Sequence, residues 1–252
     1  MDGSLSGKSG YVNEPYKDGS TGFLVHPEDD DMKEAIKWAY EHKCQISFHA
    51  MGDGSIDKII NEVAKYDTNW MGECPSVRIE HVSLLTAEQI KRIQTLKVKF
   101  SFHPQPIFSY AELDGYTAAL NKKELDRVCA LKTWTNIAFD DITISSDAPA
   151  TIHQSPENLF VTIKAATKRV STTGEEYNKN EEISVAKAVM MLTRNTQKSL
   201  LLDNCTMVKN GYSADFIVLD KDIFSIEKDQ IDTINVEKTY FKGELIYSKT
   251  NK

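Results

Sequence analysis

The sequence predicts an α/β fold of successive parallel βαβ units of the (β/α)8 TIM-barrel kind, with a small β appendage after it. Three observations carry this reading. Short apolar runs of strand type alternate with amphipathic helical stretches at steps of roughly 20–45 residues, as expected for parallel strands joined by crossover helices. His49, His81, His103 and Asp147 each fall at the C-terminal end of a predicted strand, which is where barrel enzymes assemble their sites. No G-x-G-x-x-G or Walker pattern follows any of these strands, so the doubly wound folds that bind dinucleotides or phosphates have no support.

Residues 31–43 place Met32, Ala35, Ile36, Ala39 and Tyr40 on one helical face, and residues 45–50 then read as a strand. Ser55 suits the cap of the next helix, whose Ile56, Ile59, Ile60, Val63 and Ala64 form a stripe at i, i+3, i+4, i+7 and i+8. A second strand follows at 77–82. Thr86 and Gln89 have the spacing of a capping box, opening a helix with Ile90, Ile93 and Leu96 inward before a strand at 98–103. After a long polar insertion a helix is predicted over 122–133, then a fourth strand over 142–146 that ends in Asp147-Ala-Pro. Ser155 and Pro156 suit the first turn of a helix reaching about Val170, and Ser184 opens another predicted to run to Leu202. From Asn204 the punctuation changes to β type: a turn at Asn210-Gly211, an apolar run at 214–220 that reads as a buried strand, and a hairpin around Lys242-Gly243.

With 30 basic and 37 acidic side chains the chain carries −7, which argues against a nucleic-acid partner, because phosphate binding draws on clustered Lys and Arg. The basic run of Lys164, Lys168 and Arg169 reads as a solvated helix face. Cys44, Cys74, Cys129 and Cys205 lie far apart with no C-x-x-C pair, as expected of reduced thiols in a cytoplasmic protein. No apolar run approaches the ~20 residues of a membrane span, and the first ten residues have no apolar signal region. No membrane partner is expected.

Five blocks now carry a resemblance: DGSLS at 2–6, HAMGD at 49–53, RIEH at 78–81, SDAP at 146–149 and GYSADFIVLD at 211–220. In this order and spacing they resemble the amidohydrolase superfamily, most of all the exoenzyme-type branch that includes the N-substituted formamide deformylases. The resemblance implies that residues 1–203 form the C-terminal half of the barrel, strands five to eight, and residues 204–252 the β segment of a composite sandwich domain. It implies a divalent metal, zinc, bound by His49, His81 and Asp147, and hydrolysis of carbon–nitrogen bonds in a small amide-like substrate. The chemistry suits these residue types. Neutral imidazoles are good zinc ligands, and a carboxylate such as Asp147 can both bind the ion and move a proton as general base and then general acid.

Asp53 and Glu80 flank the histidines and are candidates for acceptors that fix the imidazole tautomers. His103 ends a strand and is a candidate substrate contact, although the resembled family has glutamine there and a histidine where Pro106 stands. Gln105, Tyr110 and Tyr116, in the segment after it, could also reach a ligand. His26, His42 and His153 have plainer readings as structural or solvated residues, His42 through its place at a helix C-terminus.

In the resembled family a first strand with a His-x-His pair and three further βα units precede the DGS block, so Met1 matches an interior position. The expectation is therefore an incomplete metal site, little activity from this chain, and self-association through open sheet edges. The alternative class is a non-catalytic remnant that keeps the fold pattern without turnover.

Overall fold

The computed structural model describes residues 1–25, 29–150 and 155–249. Its central element is a parallel sheet of β1 (Ile46–His49), β2 (Val77–Glu80) and β3 (Phe100–His103), in that order, with Ile46 beside Val77 and Val77 beside Phe100. The alternation of side chains gives the sheet two unlike faces. Phe48, Val77, Ile79, Phe100 and Phe102 are buried on one. The other carries Ser47, His49, Arg78, Glu80, Ser101 and His103, and Glu80 meets Ser47 and His103 across the strands and Arg78 along its own.

The predicted fourth strand is reduced to one parallel bridge between Phe102 and Ile142. Thr143 N–H donates to the Phe102 carbonyl at 2.9 Å, and Ser145 N–H to that of Pro104 at 3.4 Å. The intervening bond of an evenly spaced parallel ladder would need an N–H from residue 104, and proline has none.

Helices cover the apolar face. The connection into β1 is α1 (Asp29–His42), with Ile36 and Ala39 buried, and between β1 and β2 lies α2 (Asp53–Val63), with Ile56, Ile59, Ile60 and Val63 fully buried. Gly52, not Ser55, occupies the N-cap of α2, and Ser55 lies inside its first turn. The helix before β3, α3 (Ala87–Gln94), has the complete capping box: Gln89 N–H donates to Thr86 Oγ1 at 3.1 Å and Thr86 N–H to Gln89 Oε1 at 3.0 Å. Thr86→Ala should cost about 1 kcal/mol, because it strips one orphan donor of its partner. A lower urea midpoint with an unchanged slope would register that loss, and an unmoved midpoint would contradict it.

The polar insertion folds as α4 (Pro106–Ala111) and α5 (Leu113–Ala119). The helix predicted at 122–133 is interrupted, giving α6 (Lys122–Leu125) and α7 (Leu131–Ala138), with Cys129 at φ +52° between them. Next come α8 (Leu159–Lys168), capped by Asn158 in place of the predicted Ser155, and α9 (Val185–Leu192), capped by Ser184. The helix expected to run to Leu202 stops at Thr193, whose hydroxyl donates back to the Val189 carbonyl, and resumes as α10 (Thr196–Ser199).

The C-terminal segment forms an antiparallel sheet in the order β4 (Phe216–Leu219), β5 (Val236–Phe241), β6 (Glu244–Ser248). Lys242 and Gly243, at φ +51° and +82°, make the two-residue hairpin turn that the Lys-Gly pair predicts. The expectation of a buried strand at 214–220 is corrected: Phe216 and Ile217 keep 40% and 50% exposure. The solvated basic face is corrected as well. Arg169 is fully buried with a left-handed backbone (φ +55°), Lys164 pairs with Asp232, and Lys168 pairs with Asp229.

Candidate metal centre

The sheet brings His49 and His81 together at the C-terminal ends of adjacent strands, with ring centroids 4.6 Å apart and planes inclined by 45°. Asp147 arrives from the segment beside β3, its Oδ2 3.9 Å from His81 Nδ1. His81 and Asp147 both hold left-handed backbone conformations, φ +62° and +54°, an uncommon state for residues with side chains and one that gathers at functional sites. The side chains of His49 and Asp147 are about 40% exposed, whereas His81 lies deeper, with Phe108 stacked at 5.7 Å.

Each imidazole is anchored through Nδ1. His49 Nδ1 lies 3.1 Å from Asp2 Oδ1, and His81 Nδ1 lies 3.1 Å from Gln105 Oε1. A carboxylate or amide oxygen facing Nδ1 calls for the proton there, which leaves Nε2 with its lone pair. Neither Nε2 has a hydrogen-bond partner among the described residues. Burial, followed by the neighbouring His49, pushes the His81 pKa below the ordinary histidine value against the opposing pull of Asp147 and Glu80, so His81 favours the neutral form that ligates metals.

Asp2 and Gln105 thus hold the positions that the sequence suggested for Asp53 and Glu80. Asp53 instead starts α2, accepting from Asn13 N–H at 2.9 Å and pairing with Arg127 at 2.7 Å. Glu80 lies on the polar sheet face, accepting from Ser47 Oγ at 2.8 Å and pairing with Arg78 at 2.6 Å.

His103 is buried on that same face. Thr143 Oγ1 lies 2.9 Å from its Nδ1 and Ser199 Oγ 2.5 Å from its Nε2, so a substrate would have to displace a hydroxyl to reach either nitrogen. Burial lowers its pKa to about 4. Tyr116 and Tyr110 are buried too, and of the three candidates in that segment only Gln105 meets a candidate ligand. His42 is exposed, with Nδ1 2.8 Å from the Trp38 carbonyl and its ring stacked on Trp38. His26 and His153 lie outside the described residues.

Two imidazoles with available Nε2 atoms and an adjacent carboxylate match a divalent ion in donor chemistry. Closure is another matter. Among the described residues no three His, Cys, Asp or Glu side chains are arranged to hold an ion. Among them also, no helix is long and apolar enough to cross a membrane.

A sequence profile of the amidohydrolase family matches residues 1–247. The chain is 25% identical over 255 residues to the putative amidohydrolase YtcJ of Bacillus subtilis (strain 168), covering 99% of this chain and 46% of that protein. A crystal structure of a metal-dependent hydrolase from Pyrococcus horikoshii OT3 is 23% identical and superposes with a TM-score of 0.75 over 90% of this chain and 44% of its own. For a metal-dependent hydrolase from Pyrococcus furiosus the values are 26%, 0.67, 84% and 41%. The chain therefore spans a little under half the length of these relatives. With its profile match running over nearly the whole sequence, the chain belongs to the amidohydrolase family.

Proposed function

We propose that this chain contributes to a metal-dependent hydrolase of carbon–nitrogen bonds other than peptide bonds, with His49, His81 and Asp147 as the donors it supplies to a divalent ion, zinc. The observation that carries the reading is the pair of imidazoles, both held by Nδ1 and 4.6 Å apart, with Asp147 beside them, in a chain of this family. A divalent ion at such a place supplies Lewis acidity and lowers the pKa of a bound water toward ~7. The protein's own residues orient the donors: Asp2 and Gln105 set the two rings, and Phe108 limits the approach of water to His81. Asp147 Oδ2 is the base that takes a proton from the attacking water and returns it to the leaving nitrogen.

In this reading residues 1–203 are the second half of a (β/α)8 barrel and residues 204–252 a separate β segment. The substrate is a small amide-like molecule, met in the cytoplasm, and the exposed apolar side chains of β4 and β6 favour self-association.

Metal content tests the reading. In a zinc titration the purified chain should bind zinc weakly enough for dialysis to strip it, and His49→Ala with His81→Ala should abolish the binding. The lack of three converging donors among the described residues favours a second reading, a non-catalytic remnant. No zinc bound on titration, together with no hydrolysis of N-formyl and N-acyl amines, would establish that alternative.

A further inference from the structure

We propose that Asp2 is the positioning residue of His49, fixing the ring with Nδ1 protonated and the Nε2 lone pair available to a metal. The inference rests on the reading of His49 as a metal donor but is carried by a separate set of contacts. The Asp2 side chain has no exposed surface and faces five donors. They divide between its two oxygens. Oδ1 faces His49 Nδ1 at 3.1 Å and accepts from Met51 N–H at 3.1 Å. Oδ2 accepts from Tyr11 N–H at 3.1 Å, Gly52 N–H at 3.0 Å and Ser55 Oγ at 2.8 Å.

Two of the Oδ2 contacts, with Gly52 and Ser55, amount to a helix cap supplied from a distant part of the chain: they serve the N-terminus of α2, where a negative group is favoured. Capping needs nothing from Oδ1. That oxygen faces the ring of a candidate ligand, and beside the Met51 N–H it has a second lone pair that an Nδ1–H satisfies, whereas an unprotonated Nδ1 would set lone pair against lone pair. The backbone is also shaped for this approach. A Cβ on Gly52 would come within 2.0 Å of the Tyr11 carbonyl oxygen, so the segment carrying Asp2 can lie against the β1–α2 corner only because residue 52 is glycine.

Asp2→Asn separates positioning from capping. One oxygen becomes an NH2, and the amide turns its remaining oxygen toward the three donors of the Oδ2 side, because the opposite setting would face an NH2 to two backbone N–H groups, those of Tyr11 and Gly52. The NH2 then faces the Met51 N–H, which loses its acceptor, and His49, whose Nδ1 must accept and whose proton moves to Nε2.

The test is the His49 ring tautomer in the metal-free chain, read from long-range ¹H–¹⁵N correlations at slightly basic pH, together with Co²⁺ affinity. The unaltered chain should show Nδ1–H, and Asp2→Asn should show Nε2–H with Co²⁺ binding weakened at least ~10-fold. Ser55→Ala, which removes a cap contact and leaves the Oδ1 side intact, should lower thermal stability and leave both readouts unchanged. Nε2–H in the unaltered chain would overturn the proposal even if Asp2→Asn failed to fold. So would equal changes in Asp2→Asn and Ser55→Ala, or Co²⁺ bound alike by the unaltered chain and Asp2→Asn. A tautomer that inverts in a chain binding no Co²⁺ would leave the positioning role standing and count against the metal reading.

Discussion

Asp147→Asn should lower kcat/KM for N-formyl or N-acyl amine hydrolysis by about 10²- to 10⁴-fold, the span that one positioned acid–base group contributes. Asparagine is the informative replacement. Asp147 sits at φ +54°, a conformation that asparagine tolerates far better than alanine, so the backbone beside the site should hold. Its side chain is 41% exposed, and the variant should therefore melt close to the unaltered chain. Asp147 also pulls the His81 pKa upward, against burial. Removing the carboxylate leaves His81 more firmly neutral, so a lost ligand form of histidine cannot account for lost turnover. Turnover within about threefold of the unaltered chain would remove Asp147 from the proton path.

Much of this arrangement is legible in the residue pattern. The change from period 2 to period 3.6 marks β1, α2, β2, α3 and β3, and the ends of β1, β2 and β3 place three histidines at one end of the sheet, because a strand's C-terminal end is common to parallel neighbours. Thr86 and Gln89 announce their cap by spacing alone.

What escapes the pattern is whatever depends on contacts between distant segments. Asp2 is 47 residues from the ring it meets, and a short acidic side chain in a polar segment offers no sign that it will be wholly buried. Asp53 and Glu80 are nearer in sequence, yet Glu80, on the same sheet face as His49, is held by Ser47 and Arg78, and a residue at a helix start is turned by the helix. Arg169 reads as part of a charged helical face, but the left-handed turn that ends α8 swings it into the core, where its guanidinium donates to the Cys129 carbonyl. The run at 216–219 looks like core because it is apolar, although burial depends on a covering layer that its own sequence cannot specify.

Acidification should destabilise the chain through His103 before its carboxylates begin to titrate. Burial is the largest influence on this ring and lowers its pKa from the ordinary 6.5 to about 4; Glu80 opposes that shift and Arg78 adds to it. Above pH 6.5 the ring is neutral in both folded and unfolded chains, and its contribution to stability is complete. Between the two values the unfolded chain binds a proton that the folded chain does not, so stability falls with falling pH by about 1.4 kcal/mol per unit. Over the whole window the loss is about 3 kcal/mol, of which about 2 kcal/mol falls above pH 5, where ordinary Asp and Glu are still largely ionised. His81 shifts in the same direction and steepens the slope. A glutamine at 103 can still exchange hydrogen bonds with the hydroxyls of Thr143 and Ser199 but cannot titrate. His103→Gln should thus be less stable than the unaltered chain at pH 7.5 and lose less of its stability by pH 5. Denaturant midpoints at the two pH values measure both quantities. Parallel losses in the two proteins would mean that His103 takes up its proton in the folded chain, with Thr143 or Ser199 turning to accept from it.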